Sequence, residues 1–315
     1  HHEVTESPRS GLWLAFSAYA LWGFMPLYVV ATAPTTPVEL IAWRIILSVV
    51  FCLLGVLIMR AWRPFRELIS KKRVVLGLGV AGVLVSANWL FYVQAVATGH
   101  TLDAALGYFL NPIVSVALGL VFLRERLRPL QWVAVGLSLV AVLVISLGYG
   151  RIPWLGLGVA MTFGLYGLVK KRVGVQADAL SGLAVETTLI LPIGAICLVW
   201  TILFGGGITF GTVSPANTGV LLFAGVVTSV PLLLFAAAAR RLRLIELGLM
   251  QYIAPILQFV LAVAVFSEPM PLERWIGFAI VWVALILFTV DLVRTARLGA
   301  KIPSVADELG PPTRG

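Results

Sequence analysis

The chain has 315 residues, 60% of them hydrophobic and 12% charged, with a formal net charge of +9 and a mean hydropathy of +1.01. A soluble domain carries about a quarter of its residues as charges to keep its surface wet, so a soluble protein of this length is excluded, as are disordered, fibrous and disulfide-framework chains. What remains is a polytopic, all-α membrane protein whose apolar helices satisfy their own backbone groups.

His1 and His2 read as the remnant of a purification tag, and 1–10 as tag plus a cytoplasmic N-terminus. Apolar segments long enough to cross a bilayer follow at 11–30, 38–59, 74–97, 103–123 and 130–148. They continue at 152–169, 180–204, 219–239, 246–267 and 275–293, giving ten expected transmembrane helices, of which the sixth is the shortest. The first segment is full length and runs on into the second, so a cleavable signal peptide is not expected. Cys52 and Cys197 lie inside apolar stretches and read as small buried hydrophobes.

Lysine and arginine set the orientation. With the N-terminus placed in the cytoplasm, 20 of the 23 basic residues fall in cytoplasmic segments, among them the six between Arg60 and Arg73. Only Arg151 and Arg274 fall outside, and Arg44 lies within a span. This is a strong positive-inside bias, and it puts both termini in the cytoplasm. The basic balance is therefore a sign of topology, and no nucleic-acid partner is expected, because no loop is long enough to fold into a basic domain. The loop from Arg60 to Arg73 suits anionic lipid headgroups instead.

Shifting the chain by 143 residues pairs Gly82 with Gly225, Ser86 with Ser229, Asp103 with Glu246, Pro112 with Pro255, Glu125 with Glu268, and Trp132 with Trp275. At 144, Trp22-Gly23 meets Tyr166-Gly167. The period covers five helices, an odd number, so the second copy must enter the membrane upside down. The loops agree: 98–102 has no lysine or arginine, whereas its counterpart at 241–245 has Arg241 and Arg243. The chain thus divides into a first repeat, 11–148, an inverted second repeat, 149–297, and a cytoplasmic tail, 298–315. Inverted repeats of this kind build secondary transporters, whose halves rock about a site near the midplane.

Polar residues inside spans mark where a substrate can sit. In the fourth helix Tyr108, Asn111 and Ser115 share one face with Ala104, and the ninth helix places Gln251 and Gln258 in corresponding positions. Pro112 and Pro255 lie beside these stripes, each removing a backbone donor and softening its helix. Asn88 and Tyr92 share a face of the third helix, and Trp22 and Tyr166 match in the first and sixth. A cavity so lined suits a small amphipathic solute with an amide, amino, carboxyl or aromatic group. The alternative is that these side chains only hydrogen-bond helix to helix. Arg44 and Glu186 are expected within spans as an intramembrane charge pair, or Glu186 as a proton relay; Arg44 can also snorkel to a headgroup, since it lies six residues into its helix. Asp103 and Glu246 sit at helix ends, where capping and gating contacts are expected.

Several segments carry a resemblance. The run Leu102 to Pro112 (LDAALGYFLNP), Phe122 to Leu127 (FLRERL), Asn88-Trp89, Phe163 to Lys170 (FGLYGLVK), Thr228 to Leu233 (TSVPLL) and Gln251 to Pro255 (QYIAP) resemble RarD-type permeases of the EamA family, in the drug/metabolite transporter (DMT) superfamily. The resemblance covers about 11–297. It implies ten helices in two inverted five-helix repeats (the EamA/DMT fold) in a bacterial inner membrane, with helices one to four and six to nine around a central cavity. It also implies export of amino acids, aromatic ones included, or of other metabolites; the RarD label is tied to chloramphenicol. Efflux of chloramphenicol-like drugs or another small metabolite is therefore the second expectation. An enzyme is not expected: beyond the tag His100 is the only histidine, and neither an H-E-x-x-H helix nor a phosphate-binding G-x-x-x-x-G-K-[ST] loop occurs. No metal and no cofactor is expected. The expected partners are an amphipathic small molecule and membrane lipid, with the protein a monomer or weak homo-oligomer.

Overall fold

The computed structural model describes residues 8–173, 178–239 and 250–301, and these are helical with short connections. In chain order the helices are α1 (Pro8–Gly23), α2 (Met25–Ala31), α3 (Pro37–Ile58), α4 (Trp62–Ile69), α5 (Lys72–Ala97), α6 (Thr101–Phe122) and α7 (Pro129–Tyr149). After them come α8 (Trp154–Val173), α9 (Ala179–Leu189), α10 (Leu191–Phe204), α11 (Pro215–Leu222), α12 (Ala224–Ala239), α13 (Ile253–Val260) with a π-helical turn at Leu261–Val265, and α14 (Leu272–Lys301).

Local chemistry starts these helices. Thr36 accepts a hydrogen bond from the Glu39 amide, Asp178 from that of Ser181 and Ser214 from that of Asn217, each a side-chain N-cap. Pro37 and Pro215 follow two of these caps in the first turn, where no backbone donor is needed. Proline also explains the breaks. Pro192 stands at the start of α10, and α9 and α10 meet at a bend of 43°. Pro26 stands similarly behind the break between α1 and α2.

Among the described residues seven helical segments are long and apolar enough to span a bilayer, or eight with α9–α10 taken as one bent span. Trp154–Val169 and Ile253–Val265 are apolar but shorter. Exposed Ile58, Leu76, Leu147 and Phe204 belong to an apolar outer surface that only lipid tails cover without cost. The protein is a multi-pass membrane protein.

Packing follows a pattern of exchange. The most extensive contact joins α7 to α14; α5 packs on α8 as α12 does on α1, and α6 on α8 as α13 on α1. Likewise α5 meets α9 while α12 meets α3. Details 143 residues apart repeat as well. Arg124 and Ser267 both adopt positive φ, 52° and 51°. The amide of Glu125 bonds to the Gly119 carbonyl at 3.3 Å, and that of Glu268 to the Ala262 carbonyl at 2.9 Å. A Cβ on Gly82 would lie 2.5 Å from Cγ2 of Ile190, and one on Gly225 would lie 2.5 Å from the carbonyl oxygen of Leu47. Leu47 and Ile190 are themselves 143 apart, so the same close helix crossing occurs twice.

Candidate functional site

Arg44 is the eighth residue of α3, about 10 Å along the axis from the helix start at 1.5 Å per residue. It is 4% exposed. Its guanidinium carbon lies 4.5 Å from the centre of the Trp89 ring, and Nε donates to Oγ1 of Thr228 at 3.0 Å. The side chain is therefore clamped between α5 and α12 and turns into the bundle, which removes snorkelling as its role. A desolvated cation–π contact contributes about 2 kcal/mol and a hydrogen bond from a charged donor about 1.5–3 kcal/mol. Burying an ion costs several kcal/mol, a penalty of about the same size as these two contacts together.

An aromatic wall leads away from this cation. Tyr28, Tyr92 and Tyr108 belong to one packed cluster with Trp89, the ring that Arg44 contacts. The rings of Tyr92 and Tyr108 meet edge to face at 5.8 Å, Tyr108 meets Phe163 at 6.1 Å, and Phe163 meets Tyr166 at 5.8 Å. The hydroxyl of Tyr166 is hydrogen-bonded to the carboxylate of Glu186 on α9, a buried residue. The wall thus runs from α5 across α6 and α8, with a guanidinium near one end and a carboxylate at the other. Arg44 and Glu186 do not pair with each other: Arg44 engages Thr228 and Trp89, Glu186 engages Tyr166. In the repeat Glu186 corresponds to Trp43, one residue from Arg44, and one residue is a rotation of about 100° around a helix.

The other expected residues divide into staples and wall. Asn88 Nδ2 donates to the Val159 carbonyl at 3.1 Å and to Oγ1 of Thr162 at 3.2 Å, tying α5 to α8. Gln258 Nε2 donates to the Trp22 carbonyl at 3.1 Å, tying α13 to α1. The Trp22 ring packs on Tyr19 at 5.4 Å and Phe235 at 5.8 Å. Asn111 is buried one turn beyond Tyr108, Ser115 is exposed, and Gln251 is half-buried in the turn before α13. Pro112 sits inside a continuous α6, whereas Pro255 is the third residue of α13, where the missing donor is harmless. Asp103 is buried and faces Arg274, its Oδ1 3.5 Å from Nη2. Glu246 lies outside the described residues.

Sequence reasoning missed the role of Glu39. This carboxylate is fully enclosed and accepts from the amides of Thr209 (2.7 Å) and Phe210 (3.2 Å), from the Thr209 hydroxyl (3.0 and 3.1 Å) and from Nε1 of Trp43 (3.2 Å). Phe210 packs on Trp43 with ring centres 4.5 Å apart. A loop 170 residues away is thereby pinned over the start of α3. Its signal was an acid in a helix's first turn, which reads as an ordinary dipole contact. At the same end of the bundle Asn217 Nδ2 bonds to the Thr32 carbonyl (3.1 Å) and the Tyr28 hydroxyl to that of Val220 (3.0 Å). There too the Glu268 carboxylate accepts from the amides of Thr101 (2.7 Å) and Leu102 (2.9 Å), capping α6. These ties join the loops that are poor in lysine and arginine. An apolar groove of about 500 Å³ beside Tyr252, Phe259 and Trp282 opens between exposed Ile256 and Ile286 and bears no charge. Among the described residues no group of three or more His, Cys, Asp or Glu is placed to hold a metal ion.

Comparison with known proteins agrees with this architecture. The model of the EamA-like transporter family matches twice, over 9–147 and 151–290. A protein named RarD from Streptomyces exfoliatus is 44% identical over 92% of this chain and 91% of its own length. Another named RarD, from Escherichia coli K12, is 40% identical over 93% of this chain and 98% of its own. A solved crystal structure, 21% identical, covers 92% of this chain and 99% of its own with a TM-score of 0.58, a likeness of fold alone. The chain belongs to the EamA-like transporter family of the drug/metabolite transporter superfamily.

Proposed function

We propose that this permease exports amino acids, aromatic ones included, by alternating access around the wall that joins Arg44 to Glu186. The observation that carries the reading is the wall itself: one buried cation and one buried carboxylate flank aromatic rings, which complements a zwitterion with an apolar side chain. A bare ion would have no use for the rings. Trp22, Asn111, Ser115, Gln251 and Gln258 extend the lining in this reading, and Pro112, Pro255, Asp103 and Glu246 belong to the parts that move. Glu186, already engaged by Tyr166 at the wall's end, is the candidate proton carrier.

Alternating access is supported by the exchange of helix contacts between halves, by the features that recur 143 residues apart, and by the double family match. Contacts that swap partners between halves are what a two-fold axis demands. A five-helix period makes that axis lie in the membrane plane, giving ten helices as two inverted repeats, 11–148 and 149–297. In this reading the protein sits in a bacterial inner membrane as a monomer or weak homo-oligomer, and the lysine and arginine asymmetry supports both termini being cytoplasmic.

The test is purified protein in liposomes, with uptake of a labelled amino-acid panel compared with that of empty vesicles. Saturable uptake of aromatic amino acids is expected. Transport of chloramphenicol with none of any amino acid would overturn the reading in favour of drug efflux.

A further inference from the structure

We propose that Arg44 is the carboxylate subsite of the cargo, so that an organic monocarboxylate head binds its guanidinium while the apolar remainder lies along the aromatic wall. The proposal rests on the amino-acid reading above and names the group by which that cargo is held.

Arg44 is a buried cation without a carboxylate of its own. Arg63–Glu67, Arg128–Asp291 and Arg274–Asp103 are ion-paired, and Arg44 makes no ion pair among the described residues. Glu186, the buried acid nearest in sequence logic, is held by Tyr166. A guanidinium carries five N–H donors in a planar fork, and among the described residues only Nε has an acceptor, Oγ1 of Thr228. The terminal amino groups keep the geometry that grips a carboxylate through two parallel bonds. Trp89 packs against the guanidinium, its ring centre 4.5 Å from the guanidinium carbon, and offers the terminal amino groups no hydrogen-bond acceptor.

A second observation points to the same ligand. The hydroxyl of Tyr92, one turn along α5 from Trp89, is enclosed with no hydrogen-bond partner among the described residues. Enclosed polar atoms are nearly always paired, so this unpaired hydroxyl, one turn from the ring that Arg44 contacts, lacks an acceptor that a bound carboxylate would bring. Tyr28 is already used, donating to the Val220 carbonyl, which leaves Tyr92 and Tyr108 as hydroxyl donors near the site. A set composed of donors fits a group that only accepts, and a carboxylate has no proton of its own to place. A single positive charge matches a monoanion; a phosphate dianion would need more. The adjoining rings favour an organic acid over an inorganic ion.

The experiment takes the panel amino acid moved fastest and measures competition against its labelled flux by matched analogues. For tryptophan these are tryptamine and tryptophanamide, which lack the carboxylate, and indole-3-propionate, which lacks only the amine. The acid should compete, and the two analogues without a carboxylate should compete on the order of 100-fold or more weaker. Arg44→Gln should erase that preference, whereas Arg44→Lys, which keeps the charge but not the fork, should retain part of it; elution profile and melting temperature report whether each variant folds. Tryptamine competing as well as tryptophan, with tryptophan still transported, overturns the subsite and leaves the exporter reading standing. So does a folded Arg44→Gln that keeps the full preference. If no panel amino acid moves, the exporter reading fails and the subsite with it. Should Arg44→Gln not fold, the wild-type analogue series decides alone.

Discussion

Glu39→Ala should release the loop around Thr209 and Phe210 from the end of α3. In the structure three donors of that loop converge on the carboxylate: two amides at 2.7 and 3.2 Å and one hydroxyl at 3.0 Å. Taking about 1.5 kcal/mol for each, the low end for a charged acceptor, the docked loop loses about 4.5 kcal/mol. With about 1.4 kcal/mol per tenfold change, the undocked population rises by roughly 10³. Both amides bond to the same oxygen, Oε1, so Glu39→Gln can keep them, and the Thr209 hydroxyl can accept from the new amide; what goes is the charge, about 0.5 kcal/mol per bond, and the rise is about tenfold. The assay is hydrogen exchange of the Thr209 and Phe210 amides in lipid nanodiscs. Protection should fall in the order wild type, Gln, Ala by those factors, while amides in the middle of α3 stay protected. Equal protection in all three proteins would refute the claim that this carboxylate holds the loop.

Three other perturbations have defined outcomes. Asp103→Asn removes a buried carboxylate that faces Arg274 and should cost about 3–5 kcal/mol in thermal unfolding; adding Arg274→Gln should recover part of the loss, and a single variant melting with the wild type would sink the idea. Gly225→Ala drives a Cβ to 2.5 Å from a backbone carbonyl of α3, whereas Gly82→Ala meets a side-chain methyl at that distance. The first should therefore lower the melting temperature more, by an overpacking cost of about 1–3 kcal/mol, and the reverse order would contradict the packing account. Glu186→Gln should abolish any acceleration of transport by an imposed proton gradient; a response equal to the wild type's excludes Glu186 as the proton carrier.

Helix positions were legible because each span is a long apolar run bounded by caps and charges, as at Thr36-Pro37 and Ser214-Pro215. The repeat was legible because Gly, Pro, Glu and Trp do not match by chance in two leucine-rich halves, and the paired positive φ at Arg124 and Ser267 is its trace in the backbone. The bend at Ile190 was within reach of sequence, through Pro192, but a continuous apolar run from 180 to 204 hid it. Side-chain direction was not legible. Periodicity assigned Asn88 and Gln258 to a face but could not say that each would bond to a neighbouring backbone carbonyl. Nor could it show that Arg44 turns inward to Trp89, since a residue six positions into a span can equally well reach the headgroups. Glu39 went unrecognised for a different reason: its partners lie 170 residues on, in a loop with no periodic pattern.

The central claim is a carrier that shuttles amino acids, and counterflow tests it most directly. Liposomes containing the protein are loaded with an unlabelled aromatic amino acid and diluted into a trace of the labelled one. The account predicts a transient accumulation of label above its equilibrium level, which only an alternating-access carrier that recognises that cargo produces. Label that merely equilibrates, or that enters no faster than into empty vesicles while chloramphenicol does exchange, would contradict it.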